Sequence, residues 1–363
     1  MPISLKNKRI ILSKTNQIGD VLFALPIASA LKAKDPSCTI IFLGRKYTRD
    51  LIAHYNDVDE FADWEEHIST LPEKEAIQAF KDLKADIILH IFPRKEIVRL
   101  AKLATIPYRI ATYGRLYNWL YCNRLVRIHR KKSPLHETQL DMQMMTPFGI
   151  KKNFSLDEII ALQHFVPFEN HFPAVDLLKP GKFNLILHPL TRGRHIEWPL
   201  EKFAALIRAL PRDKFRIFVT GVEKEGVEIR PIMIDPFLNS EDKPDLIDLT
   251  GKLSLDELMQ FISKADGLIC ASTGPVHLAA AFGIYTLGLY APIKPFHAGR
   301  WGPVGKKAQF LSLDKNCEAC RYENTCACIG LIDVVQVKNV VTGWLNGLEL
   351  TIKSSGQTMG KSF

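Results

Sequence analysis

Residues 268–283, LICASTGPVHLAAAFG, run from an apolar stretch through a small polar turn into good helix formers. This order is typical of a strand, a tight turn and a helix, because proline is tolerated in the first helical turn and Gly274 lets the backbone approach a ligand closely. A helix start presents N–H groups and a partial positive charge that suit a phosphate, and His277 would lie in its first turn. The same residues also fit an ordinary strand-to-helix turn with a structural histidine, so the rest of the chain has to decide.

Strand and helix patterns alternate in two successive halves of the 363-residue chain. The first half opens with KRIILSK at residues 8–14, a helical pattern at 19–34 and the strand CTIIFLG at 38–44. A second series starts with an apolar strand at Asn184 to His188, which predicts two Rossmann-like domains facing one another across a cleft. The predicted boundaries are an N-terminal acceptor-side domain at 1–165, a proline-containing linker at 166–182, a C-terminal nucleotide-sugar domain at 183–330, a helix at 331–350 and a disordered tail at 351–363.

The composition, with 47% hydrophobic and 24% charged residues, is that of a globular protein. The net charge of +9 is local: residues 94–132 hold eleven Lys or Arg against the single acid Glu96, a net charge of +10. Tyrosines and Trp119 are interleaved with these cations, which suits an anionic acceptor or an anionic membrane surface. A solvated basic face or a subunit contact fits as well. Nucleic acid is not expected as a partner, because no RNA or DNA recognition signature is present.

One uncharged stretch, Gly267 to Ile293, is 27 residues long, which is enough to span a bilayer. Glycines and prolines interrupt it, so we interpret it as two short strands and a helix buried inside the protein.

Seven cysteines fall into two groups. Cys38, Cys122 and Cys270 are scattered and predicted to be small core residues. The other four lie in CEACRYENTCAC, at Cys317, Cys320, Cys326 and Cys328. Their CxxC and CxC spacing suggests a structural zinc or iron site or a redox pair, with unligated thiols as the alternative.

Candidate catalytic and phosphate-binding residues follow the predicted strands. Asp20 closes the first loop, where it is either a helix cap or dipole partner or a general base that removes a proton from a hydroxyl nucleophile. Arg192, Arg194 and His195 follow the strand at 184–188 and would neutralise a phosphate. Glu225 is a candidate for hydrogen bonding to ribose hydroxyls, although a solvated loop acid is equally compatible. A phosphate-binding domain, a carboxylate in the other domain and a basic aromatic segment together fit transfer from a nucleotide-sugar.

Four stretches in a fixed order carry a resemblance to a known family. They are NQIGDVLFALPIASAL, HPLTRGRHIEWPLEKF, LTGKLSLDELMQFISKADGLICASTGPVHLAAAFG and LYAPIKPFHAGRWGPVG. From about residue 8 to about residue 345 the chain resembles glycosyltransferase family nine, the lipopolysaccharide heptosyltransferases.

The resemblance implies a GT-B fold, an ADP-heptose donor and an inverting transfer without a metal cofactor to the inner core of lipopolysaccharide. By position, Asp20 matches the proposed catalytic base, Glu225 the nucleoside-side acid, and a further set the diphosphate contacts: Thr191, Thr273, Gly274 and His277. Two positions depart from the family pattern, Ile196 in place of a lysine and Ser272 in place of an acid, and Arg194 would supply the missing charge.

We therefore predict a cytoplasmic glycosyltransferase peripheral to the inner membrane, with Arg115, Arg124 and Arg127 binding the acceptor. Alternatives are a protein O-heptosyltransferase, a transferase using another nucleotide-sugar, and a non-catalytic nucleotide-sugar-binding protein. The clustered cysteines resemble those of family relatives that glycosylate proteins and carry a metal on four cysteines.

Overall fold

The computed structural model describes residues 1–130, 133–168, 171–191, 196–238, 243–293, 297–313 and 327–356, with side chains up to residue 347. The chain forms two compact units. Unit 1 comprises Met1–Asn170 and Gly299–Lys306, and unit 2 comprises His171–Ala298 and Lys307–Phe363. The segment Gly299–Lys306 falls within the predicted C-terminal domain at 183–330, but it belongs to unit 1.

Each unit contains a sheet, and the described residues provide twelve strands in all. In chain order they are β1 Arg9–Ser13, β2 Thr39–Gly44, β3 Glu60–Asp63, β4 Ile87–His90, β5 Tyr108–Thr112, β6 Arg124–Val126, β7 Phe183–His188, β8 Phe215–Val219, β9 Leu246–Asp248, β10 Gly267–Ala271, β11 Tyr285–Tyr290 and β12 Ala308–Ser312.

Helices connect most of these strands. Over the described residues they are α1 Ile18–Lys34, α2 Arg49–Ala53, α3 Glu73–Asp82, α4 Lys95–Leu103, α5 Leu116–Tyr121, α6 Glu137–Met142, α7 Leu156–Ile160, α8 Leu200–Ala209, α9 Glu223–Met233, α10 Asp235–Leu238, α11 Leu255–Lys264, α12 Gly274–Ala281, α13 Ala298–Trp301 and α14 Val334–Gly356. Short 3-10 helices add Lys46–Thr48, Gln143–Phe148, Pro173–Leu177 and Ile329–Leu331.

The strands of both sheets pair in parallel. The strand order is β3-β2-β1-β4-β5-β6 in unit 1 and β12-β11-β10-β7-β8-β9 in unit 2. Central strands such as β4 and β10 are buried along their whole length, because helices cover both faces of a parallel sheet. This explains why the sequence shows uninterrupted apolar runs rather than alternation. The prediction of two Rossmann-like domains of a GT-B fold is confirmed, and the cleft between them stays a prediction.

Strand order reverses between β1 and β4 in unit 1 and between β7 and β10 in unit 2. At such a switch point the loops that follow the two strands diverge to opposite faces of the sheet and leave a crevice at the carboxyl edge. The loops that follow β7 and β10 contain the predicted phosphate contacts, and the loop that follows β1 leads into Asp20. Each sheet thus has some of its predicted site residues, Asp20 in unit 1 and Thr191 and Thr273 in unit 2, in loops or helix starts at its own switch point.

The core of unit 2 includes an aromatic stack near the start of β10. Trp344 of α14 stacks on Tyr285 at 5.5 Å and on Phe183 at 5.9 Å between ring centroids. A Cβ at Gly267 would lie 2.9 Å from the Phe183 ring and 3.0 Å from the Trp344 ring. The first residue of β10 is therefore a glycine because the rings leave no room for a side chain.

One helix changes type along its length, and another differs from the sequence prediction. The α-helix that begins at Glu137 ends at Met142, and a 3-10 helix containing Pro147 follows it, since proline cannot donate to an α-helical ladder. The C-terminal helix, expected at 331–350, covers Val334–Gly356. It therefore includes part of the expected tail, and 357–363 lie outside the described residues.

The uncharged stretch from Gly267 to Ile293 forms β10, α12 and β11, as predicted. In the part of the chain that the structure describes, no helix combines the length and apolarity needed to cross a bilayer.

Candidate functional site

The start of α12 lies directly after β10, at the switch point of the second sheet. Thr273 is its N-cap residue with an extended backbone, and Gly274 and Pro275 begin the helix. The Thr273 side chain makes no capping hydrogen bond, whereas the N-cap hydroxyls of Ser155 and Ser254 each accept one from their helices. The Thr273 hydroxyl thus makes no hydrogen bond to the start of its own helix, and its predicted contact with a phosphate stays a prediction.

Ser272 and His277 flank this helix start. Ser272, where relatives often have an acid, is a hydrogen-bond partner of the Tyr290 phenol, whose pKa is raised by burial. Ser272 therefore ties the turn to the end of β11 and brings no charge. His277 is 8% exposed, so most of its imidazole is packed in the core.

Glu197, which was not predicted as a site residue, accepts hydrogen bonds from Thr191 in the loop after β7. Both the backbone N–H and the hydroxyl of Thr191 donate to Oε1 of Glu197, at 2.5 and 2.6 Å. Thr191 is 6% exposed, and both of its donors are already engaged. To contact a phosphate, Thr191 would have to give up one of its hydrogen bonds to Glu197. Arg192, Arg194 and His195 lie outside the described residues, so their predicted role stays a prediction.

Glu225 occupies the first turn of α9, which follows β8 at the same edge of the second sheet. Its Oε2 accepts a hydrogen bond from the Val222 N–H at 2.8 Å, and the residue is 6% exposed. The alternative of a solvated loop acid is therefore wrong. Its role toward a nucleoside stays a prediction.

Asp20 lies in the first turn of α1, just after β1, and is half-buried. The N-cap residue of α1 is Gln17, so Asp20 is not the cap of this helix. The loop before it is tied on two sides: the Tyr47 hydroxyl donates to the Asn16 carbonyl at 3.1 Å, and Arg94, which follows β4, donates to the Thr15 carbonyl at 2.8 Å. Asp20 is thus presented at the switch point of the first sheet by a loop with fixed ends.

A buried ion network anchors the same loop. Lys14 and Asp141 pair at 2.7 Å, with side chains 3% and 0% exposed, and Arg130 donates to the other Asp141 oxygen at 2.8 Å. Burial would raise the pKa of Asp141, but the charges of Lys14 and Arg130 hold it below its ordinary value. Sequence patterns gave no signal for this network, because Lys14 and Asp141 are 127 residues apart.

Residues 299–306 join unit 1 through two contacts with the start of α6. Arg300 donates to Glu137 at 2.7 Å, and Nε2 of His136 lies 3.0 Å from the Gly302 carbonyl. Nδ1 of His136 accepts from the Thr138 N–H, so Nε2 carries the proton. Burial lowers the pKa of His136 to about 4, which keeps the ring neutral.

A second histidine, His90 at the end of β4, is completely buried. Burial lowers its pKa to about 3. Neither ring nitrogen has a hydrogen-bond partner within the described part of the chain, and the same holds for the hydroxyl of Ser13, its neighbour in register on β1.

Two of the three predicted acceptor arginines share a pocket. Arg124 and Arg127 line a pocket of about 490 Å³ between β6 and the 3-10 helix Gln143–Phe148, together with Lys152. Gln143 and Thr146 add polar groups, and the lining contains no acid. Such a pocket suits an anionic group, because like charges that face one another favour a counterion. Sequence reasoning missed Lys152, which lies outside the basic segment.

The other cations of the basic segment have different roles. Arg115 is exposed at the N-cap of α5 and does not line the pocket. Arg130 forms ion pairs with Glu137 and Asp141, and Arg99 forms an ion pair with Glu73. The segment is therefore only partly a free basic face.

Two of the three scattered cysteines, Cys38 and Cys270, are core residues, as predicted, whereas Cys122 is only half-buried. Cys38 and Cys270 are buried, and burial raises the pKa of the half-buried Cys122 thiol to about 12. Cys317, Cys320 and Cys326 lie outside the described residues, whereas Cys328 precedes the 3-10 helix Ile329–Leu331. The described residues contain no group of three or more His, Cys, Asp or Glu side chains that could hold a metal ion.

Comparison with known proteins identifies relatives that are named as glycosyltransferases or heptosyltransferases. A provisionally named glycosyltransferase of Haemophilus influenzae is 24% identical over 324 residues, which cover 86% of this chain and 89% of the relative. Lipopolysaccharide heptosyltransferase 1 of Escherichia coli K12 is 22% identical over 310 residues, covering 81% of this chain and 91% of the relative.

Solved structures share the fold. The Escherichia coli ADP-heptose LPS heptosyltransferase II matches with a TM-score of 0.72 at 17% identity, covering 94% of this chain and 99% of that chain. The iron-containing dodecameric glycosyltransferase TibC of enterotoxigenic Escherichia coli matches with a TM-score of 0.53 at 16% identity, covering 95% of this chain and 78% of that chain.

The sequence profile of glycosyltransferase family 9 (heptosyltransferase) matches residues 134–328, which is more than half of the chain. This range contains β7 to β12 and, with them, the helix start at Thr273. The chain therefore belongs to glycosyltransferase family 9, the heptosyltransferase family, and is a glycosyltransferase.

Proposed function

We propose that this enzyme transfers heptose from ADP-heptose to a sugar hydroxyl of the lipopolysaccharide inner core, with inversion at the anomeric carbon. The names of the Escherichia coli relatives support this donor and acceptor. The observation that carries the proposal is the start of α12, where the N-cap hydroxyl of Thr273 is left unused by its own helix at the switch point of the second sheet.

On the donor side, cleavage of the bond to ADP develops negative charge on the diphosphate. The N-terminal turn of α12 would face this charge with oriented backbone dipoles, with the hydroxyl of Thr273 and with the imidazole of His277. Preorganised donors of this kind act without reorganising during the reaction, and a single one is worth on the order of 3 kcal/mol in a transition state. The transfer is proposed to need no metal ion, and Glu225 is proposed to contact the nucleoside.

On the acceptor side, Asp20 is proposed to be the general base. Its carboxylate would take the proton from the acceptor hydroxyl while that oxygen attacks the anomeric carbon and ADP leaves. Arg124 and Arg127, together with Lys152, would hold an anionic group of the acceptor in the pocket beside β6. An anionic acceptor would fit this pocket, because its lining holds three cations and no acid.

A polypeptide acceptor is the second candidate function. The four cysteines at 317–328 favour it, through their resemblance to those of family relatives that glycosylate proteins and carry a metal on four cysteines. In either case the enzyme is proposed to work in the cytoplasm at the periphery of the inner membrane.

Calorimetric titration of the purified protein with ADP-heptose, ADP-mannose, UDP-glucose and GDP-mannose tests the donor assignment. We expect selective binding of ADP-heptose, and weaker binding in Arg194→Ala, because this variant removes the cation proposed to replace the lysine of relatives. Preference for another nucleotide would replace the donor. Absence of binding to all four would contradict the proposed ADP-heptose donor.

A further inference from the structure

One surface of unit 1 carries apolar side chains that nothing in the transfer reaction uses. The described residues include thirteen large apolar side chains that are exposed to solvent, and five of them lie within residues 103–120. These five are Leu103, Tyr113, Leu116, Trp119 and Leu120. Clusters of this kind on a soluble surface mark interaction sites, whereas single exposed apolar residues are normal.

The centre of the cluster is the short helix α5. Leu116, Trp119 and Leu120 are 80%, 54% and 61% exposed. Their spacing of three and four residues puts them on one face of the helix. The opposite side of α5 is directed into the protein, because Asn118 is buried.

Hydrogen bonds hold this helix in place, so its apolar face is presented by a fixed element. The Asn118 amide donates to the Thr112 carbonyl at 2.8 Å, and the Tyr117 hydroxyl donates to the Pro93 carbonyl at 2.8 Å. The Trp119 indole N–H donates to the Tyr113 carbonyl at 3.1 Å, with the two rings packed edge to face at 4.6 Å. An exposed tryptophan held in this way has an apolar body and a satisfied polar group, which suits a boundary between water and hydrocarbon.

Positive charge surrounds the apolar face. Arg115 directly precedes α5 and is exposed, as are Arg124 and Arg127 three and six residues after its end. Within the described residues, no acidic side chain forms an ion pair with any of these three arginines. Lys102 of the adjacent α4 donates to the Leu120 carbonyl at 3.0 Å and lies over the Tyr121 ring. An anionic surface is the complementary partner, because basic residues beside an apolar face bind anionic lipid headgroups.

We propose that the α5 face, defined as Leu116, Trp119 and Leu120 with the flanking Arg115, docks on the surface of an anionic phospholipid bilayer. The two leucines and the indole enter the headgroup boundary, and Arg115 contacts a lipid phosphate. This surface is distinct from the pocket beside β6, and its function does not depend on the identity of the donor or the acceptor.

Vesicle sedimentation tests the proposal. The full-length protein should bind vesicles of phosphatidylcholine with phosphatidylglycerol, bind pure phosphatidylcholine vesicles weakly, and dissociate as salt is raised, because screening removes the charge attraction. The double variant Leu116→Gln, Leu120→Gln should bind the anionic vesicles at least about tenfold more weakly, since burial of two leucines is lost. The matched control is Leu331→Gln with Val335→Gln, which replaces two side chains of similar exposure, 62% and 60%, in unit 2 and should bind like the wild type.

Three outcomes would overturn the proposal. The first is unchanged vesicle binding in the α5 double variant, and the second is equal loss in the control. The third is that the wild type is a dimer, that the α5 double variant is a monomer, and that both bind vesicles equally. The α5 face would then be a contact with a second copy of the chain. Fluorescence gives a second readout if the double variant does not fold: Trp119→Phe should lose most of the blue shift that anionic vesicles cause, and an undiminished shift would contradict the proposal.

Discussion

Asp20 is the residue on which the proposed chemistry depends. It is half-buried in the first turn of α1, and its loop is tied by Tyr47 and Arg94. The variant Asp20→Asn keeps the shape of the side chain but removes its basicity. We expect turnover to fall by at least about a hundredfold, within the range for loss of a general base, with the Kd of the donor nearly unchanged.

Steady-state turnover and calorimetric donor binding on the same preparation separate chemistry from binding. Asp82→Asn, which changes an acid at the end of α3, serves as a control for the change of charge. Turnover at the wild-type rate in Asp20→Asn would remove the residue from the mechanism.

His90 makes the stability of the protein depend on pH. In the folded state burial lowers its pKa to about 3, so the ring stays neutral, whereas in the unfolded chain the imidazole takes up a proton below about pH 6.5. The unfolded state therefore binds more protons, and the free energy of unfolding falls as the pH falls. Between about pH 7 and about pH 5 this one histidine should cost about 2 kcal/mol.

The variant His90→Leu should remove that part of the pH dependence, as measured by urea unfolding at both pH values. His136, whose pKa is lowered to about 4 by burial, should keep a slope of the same sign in the variant. His67→Gln changes an exposed histidine and serves as the control. A pH dependence in His90→Leu identical to that of the wild type would show that His90 is not held neutral.

At the scale of elements, two helix starts in unit 2 have a hydroxyl side chain at the N-cap but differ in how it is used. Ser254 caps α11 by accepting a hydrogen bond from the Glu257 N–H, and the Ser254 N–H donates to the Glu257 carboxylate at 2.7 Å. The two bonds together form a capping box. Thr273 begins α12 without such a bond. The Ser254 hydroxyl therefore stabilises its own helix start, whereas the Thr273 hydroxyl is proposed to contact the donor.

Thr273→Val removes only the hydroxyl and should weaken donor binding about tenfold or more, with little change in unfolding free energy. Ser254→Ala should show the opposite pattern, a loss of about 1 kcal/mol of stability with unchanged donor binding. Calorimetric titration and thermal unfolding of both variants measure the two effects. If Thr273→Val lowers stability and leaves the donor Kd unchanged, Thr273 is only structural.

At the scale of the whole molecule, the positive charge is concentrated in unit 1. Reversal of Arg124 and Arg127 to glutamate places acids in the pocket beside β6, where Lys152 is the third cation. We expect the KM for a lipopolysaccharide acceptor to rise about tenfold or more while the Kd of the donor changes less than about twofold, because rim charges act on the partner that they face.

The matched control reverses Lys34 and Lys74, two exposed lysines of unit 1 that do not line the pocket, and so changes the net charge equally. An equal rise in KM in the control would mean that the total charge, and not the pocket, attracts the acceptor. Parallel losses of donor and acceptor binding in the Arg124 and Arg127 variant would indicate a folding defect.

The sequence by itself determined the architecture of both sheets and the places of Asp20 and Thr273. Parallel strands are buried on two faces, so each central strand is a continuous apolar run, and glycine or proline marks the turn that follows. Because the loops after such strands meet at the carboxyl edge of the sheet, the order of elements was enough to locate both residues.

Only the tertiary structure decided which side chains meet. The Lys14–Asp141 pair, the contact of Arg300 with Glu137 and the closure of the Thr191 loop by Glu197 leave no periodic signal. Nor did the sequence show that Arg124 and Arg127 share a pocket with Lys152 while Arg130 is neutralised inside unit 1. The physical reason is that local periodicity records which face of an element is buried, whereas a contact between distant residues depends on how whole elements pack.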